Sequence, residues 1–348
     1  MTRSFQTLPL NVRIGEVIEV RSQQEILATL DRNGELDGLP FMPEMLQFCG
    51  RRFRVHRRAI KLCDTINWTG MHRMKNAVHL EGLRCDGQAH GGCQAGCLLL
   101  WKDAWLKRTE SDADAQDPGH QVAQPTAMTV PDPTPRTGSS CTVDTLFATT
   151  RADGGTAAPG DETFSCQATE LMRAAPARIP WWDLRQYLRD LRVGNAQVSA
   201  MIRYLTITLF NKFQAANRRF LPRLPFIHGA RNYPFIDGRL TRTPKDVLNL
   251  RPGDLVEIRS KEEIVRTLDK DNKNRGLKFD IEMLRYCGQR ARVLRRVDHI
   301  IDERTGKMMQ FSNDCIILDG VVCQSEYYGF CSRSTYGYWR EIWLKRVE

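Results

Sequence analysis

Nine side chains of this 348-residue chain have the type and spacing to hold a metal. In the N-terminal third, Cys63, Cys85, His90, Cys93 and Cys97 fall within 35 positions. In the C-terminal third the candidates are Cys287, Cys315, Cys323 and Cys331. Four thiolates, or three and an imidazole, make a closed tetrahedral zinc site. The same thiolates suit iron–sulfur clusters, and ligand type alone does not separate the two. Zinc is the first expectation and an iron–sulfur cluster the alternative, because closed zinc sites supply folding energy to small domains. In Cys85-x4-His90-x2-Cys93-x3-Cys97 the ligands converge from one loop, and Gly91 and Gly92 permit a tight turn between them. The competing reading is a set of buried reduced thiols, which pack as small hydrophobes; Cys49 is read that way. A Cys93 nucleophile beside His90 is the catalytic alternative. There is no phosphate loop, Rossmann fingerprint or H-E-x-x-H, so no catalytic residue is assigned and enzymatic activity stays open.

The elements that position these residues are duplicated. Residues 10–110 align without a gap on 248–348, at a constant offset of 238, with 38 of 101 positions identical. Cys85, Cys93, Trp101 and Trp105 recur as Cys323, Cys331, Trp339 and Trp343. Cys97 becomes Thr335, Cys63 becomes Ile301 and His90 becomes Tyr328, so two metal sites would need different ligand sets. The tryptophan pairs at i and i+4 read first as core, with a stacking platform for a ring as the sharper alternative.

Each copy opens with a glycine turn and a β-branched strand, at Gly15 to Val20 and Gly253 to Ile258. Capping boxes at Ser22/Glu25 and Ser260/Glu263 then start short helices. The segments Phe41–Cys49 and Phe279–Cys287 read as further short helices closed by Gly50 and Gly288. Alternating Arg and apolar residues at 52–58 and 290–296 predict half-exposed strands, and Trp-Leu-Lys-Arg closes each copy. The opening Pro252-Gly253-Asp254-x-Val256-x-Ile258, the strand Cys287-Gly288-x-Arg290-x-Arg292-Val293 and the ending Trp343-Leu344-x-Arg346-Val347 resemble SH3-like barrels of the KOW and nitrile-hydratase-β type. That resemblance implies an α+β fold: two homologous small SH3-like β-barrels with short helices, joined by a disordered linker and a helical insert.

Four segments are therefore expected: a first repeat over 1–110, a linker over 111–167, a helical insert over 168–247 and a second repeat over 248–348. The linker is acidic, 2 basic against 8 acidic residues, and poor in large apolar side chains, which predicts disorder. The insert carries 14 basic against 5 acidic residues. Met201, Ile202, Leu205, Leu209, Phe210 and Phe213 form an apolar stripe on a helix from about 196 to 220, expected to pack on protein. A protein or small-molecule partner is expected, with nucleic acid as an alternative partner of residues 168–247; oligomeric state is left open. No secretory leader or membrane-length apolar run is legible, which predicts a cytoplasmic protein with reduced cysteines. The leading functional expectation is a non-catalytic, metal-stabilised scaffold or ligand-binding module. A metal-dependent redox or biosynthetic enzyme and a nucleic-acid binder are the alternatives.

Overall fold

The computed structural model describes residues 10–109, 141–158, 160–220 and 232–347. The first repeat contributes β1 (Val17–Val20), helix α1 (Gln23–Leu27), β2 (Glu35–Leu36), β3 (Leu39–Pro40), β4 (Arg52–Arg58), β5 (Lys61–Cys63), β6 (Met71–Arg73), β7 (Ala77–Arg84), β8 (Leu98–Lys102) and β9 (Leu106–Arg108). The insert adds α2 (Val143–Thr149), α3 (Leu171–Ala174), β10 (Ala177–Ile179), α4 (Leu184–Val193) and α5 (Val198–Phe220). The second repeat contributes β11 (Leu255–Ile258), α6 (Lys261–Val265), β12 (Lys273–Asn274), β13 (Leu277–Lys278), β14 (Arg290–Arg296), β15 (His299–Ile301), β16 (Met308–Gln310), β17 (Ile316–Val322), β18 (Tyr336–Trp339) and β19 (Leu344–Arg346).

Each repeat builds one curled, five-stranded antiparallel half-barrel. The strand orders are β8-β7-β4-β1-β9 and β18-β17-β14-β11-β19, the same order in both copies. The registers also match: Val17 faces Arg54 as Leu255 faces Arg292. Two irregularities recur, at Val55/Arg57 with Val293/Arg295 and at His79/Arg84 with Ile317/Val322. Bulges at equivalent places bend both sheets alike. Gly82 and Gly320 sit in the second bulge with φ of 72° and 70°, a conformation glycine takes without a Cβ clash.

Both cores close on aromatic rings. Phe41 meets Trp101 and Trp105 edge-on at 6.1 and 5.2 Å, and Phe279 meets Trp339 and Trp343 at 6.2 and 5.3 Å. All four tryptophans are fully buried, so they are core and no stacking platform. Trp105 Nε1 donates to Thr29 Oγ1 and Trp343 Nε1 to Thr267 Oγ1, which satisfies one indole in each pair. The capping boxes at Ser22 and Ser260 form as expected. The segments read as helices after Phe41 and Phe279 are instead 3-10 turns, Pro43–Phe48 and Ile281–Tyr286.

The disorder expected over 111–167 does not extend to its second half. Residues 111–140 and 159 lie outside the described residues, but α2 begins at Val143 and packs on the first repeat. Low average hydrophobicity predicts disorder only if the few apolar side chains find no shared core. Here Cys141 and Leu146 are buried in the first repeat's core together with Leu171, Ala174 and Ala175. Strand β10 extends the β5–β6 hairpin. Helix α4 starts at its Asp183 cap and stops at Gly194, whose φ of 80° supplies the left-handed C-terminus. The stripe of α5 divides: Met201 is buried with Tyr187 and Phe330, while Ile202, Leu209 and Phe213 are exposed. The expected packing of the whole stripe is thus only half realised, because one layer of neighbours reaches one side of the helix. Among the described residues no helix is long and apolar enough to cross a membrane.

The repeats face one another about a pseudo-twofold axis. The backbone N–H of Cys63 reaches Cys331 Sγ at 3.1 Å, and the equivalent N–H of Ile301 reaches Cys93 Sγ at 3.3 Å. Thr65 donates to Glu303, its own counterpart at the offset of 238, so this pair lies on the axis.

Candidate metal centre

The loop between β7 and β8 carries four of the expected ligands, Cys85, His90, Cys93 and Cys97. Its base is a strand pair continued past the sheet: Cys85 N–H donates to Cys97 O at 2.9 Å, as Cys323 does to Thr335 O at 2.8 Å. Within the loop, the N–H groups of His90 and Gly92 both donate to Gly87 O at 2.9 Å. Gly87 has a φ of 75°, and a Cβ there would stand 2.1 Å from Cys93 O. The loop therefore closes only over glycine.

A buried carboxylate clamps this loop from the 3-10 turn. Glu44 Oε1 accepts from Ala89 N–H at 3.1 Å and from His90 Nδ1 at 2.6 Å. In the second repeat Glu282 Oε1 accepts from Tyr327 N–H at 2.6 Å, the equivalent bond. His90 Nε2 in turn meets the carbonyl of Ser165 at 3.0 Å. Burial pushes Glu44 up, but the hydrogen bond and charge of His90 outweigh it and leave the carboxyl below its ordinary range. Glu282 has no histidine, and burial raises it.

These contacts add a structural partner to the ligand role expected of His90. Glu44, Cys85 and His90 are, among the described residues, the one set of three potential ligand groups whose donor atoms all lie within 4.8 Å of one another. Both ring nitrogens of His90 face oxygen atoms, Nδ1 that of Glu44 Oε1 and Nε2 that of the Ser165 carbonyl. His90 is thus held on both sides, by Glu44 and by the Ser165 carbonyl, within the one close set of potential ligands among the described residues.

The thiols converge on a different space. Cys85, Cys93, Cys97 and Cys166 line one cavity of about 50 Å³ at the seam between the repeats. Leu98, Leu99, Leu100 and Leu171 make its apolar wall, and Ile301, Arg333 and Thr335 close it from the second repeat. Cys166 enters from the insert, held by Cys166 N–H donating to Thr169 Oγ1 at 2.9 Å. Its neighbour Gln167 is fixed by Leu100 N–H at 2.8 Å and donates to Leu100 O and Pro40 O. Burial pushes the Cys97 thiol up to about 12, Cys166 up to about 11, and Cys85 higher still. In such a site a bound cation would displace thiol protons, so affinity would rise with pH.

His79 also lines this cavity. Its Nδ1 meets Leu99 O at 2.9 Å, and burial drives its pKa down to about 3. The ring is neutral, with Nδ1–H donating and Nε2 left buried without a partner. Sequence reasoning missed both His79 and Cys166. The signal for His79 was a histidine at an otherwise apolar strand position, occupied by Ile317 in the second repeat. For Cys166 no local spacing gave a signal.

The remaining expected ligands lie elsewhere. Cys63 leaves the cavity and meets Cys331 across the seam, with the sulfurs 3.0 Å apart. Cys287 packs at the edge of the second core, as Cys49 does in the first. Cys315 is buried beside Val297 and Ile317, and Cys323 contacts Ser325 Oγ at 3.4 Å. Among the described residues, no three of Cys287, Cys315, Cys323 and Cys331 place their sulfurs within 4.8 Å of one another. Arg333, buried at the seam, pairs with Glu303 and donates to Thr65 Oγ1 at 2.6 Å. It lines the cavity, and its charge lowers Cys97 against the effect of burial. No known family model, curated protein or solved structure matches this chain.

Proposed function

We propose that this chain is an iron–sulfur protein whose cluster sits at the seam between two SH3-like half-barrels, held by Cys85, Cys93, Cys97 and Cys166. One observation carries the reading: four cysteines from two separate segments line a single buried cavity, yet no three of their sulfurs lie within 4.8 Å of one another. A single zinc ion with bonds of about 2.3 Å needs its thiolates roughly 3.8 Å apart. A cluster keeps its thiolates further apart, because the inorganic core stands between them. Four protein thiolates leave no open iron position, which favours an electron-carrying or structural centre over one that binds substrate. The SH3-like assignment is supported by the shared strand order and by bulges at equivalent positions.

The test is purification without oxygen, followed by iron, acid-labile sulfide and zinc analysis and a visible spectrum. Stoichiometric iron and sulfide with absorbance near 400 nm are expected, lost in Cys97→Ser and Cys166→Ser and kept in Cys315→Ser. Colourless protein with one zinc would return the site to the mononuclear reading. Protein with neither would make these cysteines packing residues.

A further inference from the structure

Outside that cavity the seam holds a second pair of sulfurs. Cys63 ends β5 of the first repeat, and Cys331 lies in the loop between β17 and β18 of the second. Their sulfurs are 3.0 Å apart, about 1 Å more than a disulfide bond of roughly 2.05 Å. The Cys63 N–H also points at Cys331 Sγ, at 3.1 Å. Arg333 lies two residues on, buried and fixed by Glu303. Donors and positive charge thus gather on one sulfur and favour its anion. The effect on the pair is opposite in sign: Cys331 is drawn below the ordinary thiol range despite burial, and Cys63, bonded to it and buried, is driven above.

The pseudo-symmetry supplies an internal control. Cys93 occupies the position of Cys331 and accepts the equivalent N–H from Ile301. Its partner position holds isoleucine, so the backbone contact forms without a second sulfur. The fold therefore does not require a cysteine at 63, and the sulfur pair is an addition to one side of the seam.

We propose that Cys63 and Cys331 form a peroxide-reactive dithiol that closes to a disulfide between the repeats. The Cys331 thiolate attacks one oxygen of hydrogen peroxide and the O–O bond breaks, giving a Cys331 sulfenic acid and hydroxide. The Cys63 sulfur then attacks the Cys331 sulfur. The S–O bond breaks, the S–S bond forms, and the Cys63 proton leaves with the departing oxygen as water. Two thiol sulfurs lose two electrons in total, and the peroxide is reduced to water and hydroxide. Cys331 is 1% exposed, which keeps out a protein disulfide and makes the oxidant a small one, hydrogen peroxide.

The test uses the full chain treated with one to a few equivalents of hydrogen peroxide, alkylated and digested without reductant. A peptide joining residue 63 to residue 331 is expected, with a mass loss of two hydrogens that dithiothreitol reverses. Cys63→Ile installs the residue that the second repeat carries at this position. It should abolish the cross-link while Cys331 advances to sulfinic acid, and Cys331→Ser should abolish both products. Peptide mapping separates this pair from Cys85, Cys93, Cys97 and Cys166, so failure of the cluster reading would leave the result legible. If peroxide oxidises other cysteines and leaves 63 and 331 as free thiols, the proposal is overturned. It is also overturned if Cys63→Ile folds and shows no oxidation at Cys331.

Discussion

The substitution His90→Gln separates a clamp from a ligand. The His90–Glu44 pair has side-chain exposures of 1% and 2%, so water cannot take over when one partner goes. Removing one member of a buried pair costs about 3–5 kcal/mol, mostly from the charge left behind. At roughly 2–4 °C per kcal/mol for a domain of 150–250 residues, the midpoint should fall by about 6–20 °C near pH 7. The loss should also depend on pH. In the wild type Glu44 lies below its ordinary range, so its contribution is present above the unfolded value of about 4.3 and fades as pH falls through the folded one. Without His90, Glu44 has the surroundings of Glu282, which burial raises. The protonated form is then favoured in the fold, and the penalty for the bare carboxylate disappears in acid. Urea unfolding at pH 7 and pH 4 should show a deficit that is larger at the first than at the second. An equal deficit at both, or one under about 1 kcal/mol at pH 7, would refute the clamp.

Three further outcomes are expected. Asp190→Asn leaves the Lys61 ammonium, 2.5 Å from that carboxylate and 1% exposed, unmatched between β5 and α4; it should cost about 3–5 kcal/mol in urea unfolding, and Lys61→Met combined with Asp190→Leu should recover most of it. Gly87→Ala should destabilise by roughly 4 kcal/mol or more, read in urea unfolding, because its Cβ meets Cys93 O. Gly82→Ala, with open space around it, should cost only the left-handed backbone penalty of about 1–2 kcal/mol. Phe41→Ala and Phe279→Ala should each cost about 3–5 kcal/mol, since each ring packs between two buried tryptophans; a difference above about 2 kcal/mol would show that the two cores are not equivalent.

What the sequence made legible follows from what repeats. An ungapped offset of 238 carried strand order, bulges, capping boxes and tryptophan core together, because each depends on neighbours within one copy. Convergence of Cys85, Cys93 and Cys97 was legible for the same reason, since one short loop contains all three. The clamp on His90 was not legible because its partner, Glu44, lies 46 residues away. Cys166 was invisible because it joins the cavity only after the insert folds back on the first repeat. Cys63 was assigned to its own copy, whereas docking of the repeats carries it to Cys331. Pairing across the pseudo-twofold depends on how two finished half-barrels meet, and no local spacing records that.

The Thr65–Glu303 contact bears on how such a chain could have arisen. A residue on a true twofold axis faces a copy of itself. In a homodimer of single repeats, a glutamate at this position would oppose a second glutamate, and two half-buried like charges repel. Fusion of the copies into one gene lifts that constraint. One side can then be threonine and the other glutamate, and Arg333, whose counterpart is Ala95, can neutralise the acid. The cysteine-lined cavity beside the first repeat and the sulfur pair on the opposite side are lopsided in the same way. A covalently joined pair can divide two tasks between surfaces that a dimer of identical chains would have to make the same.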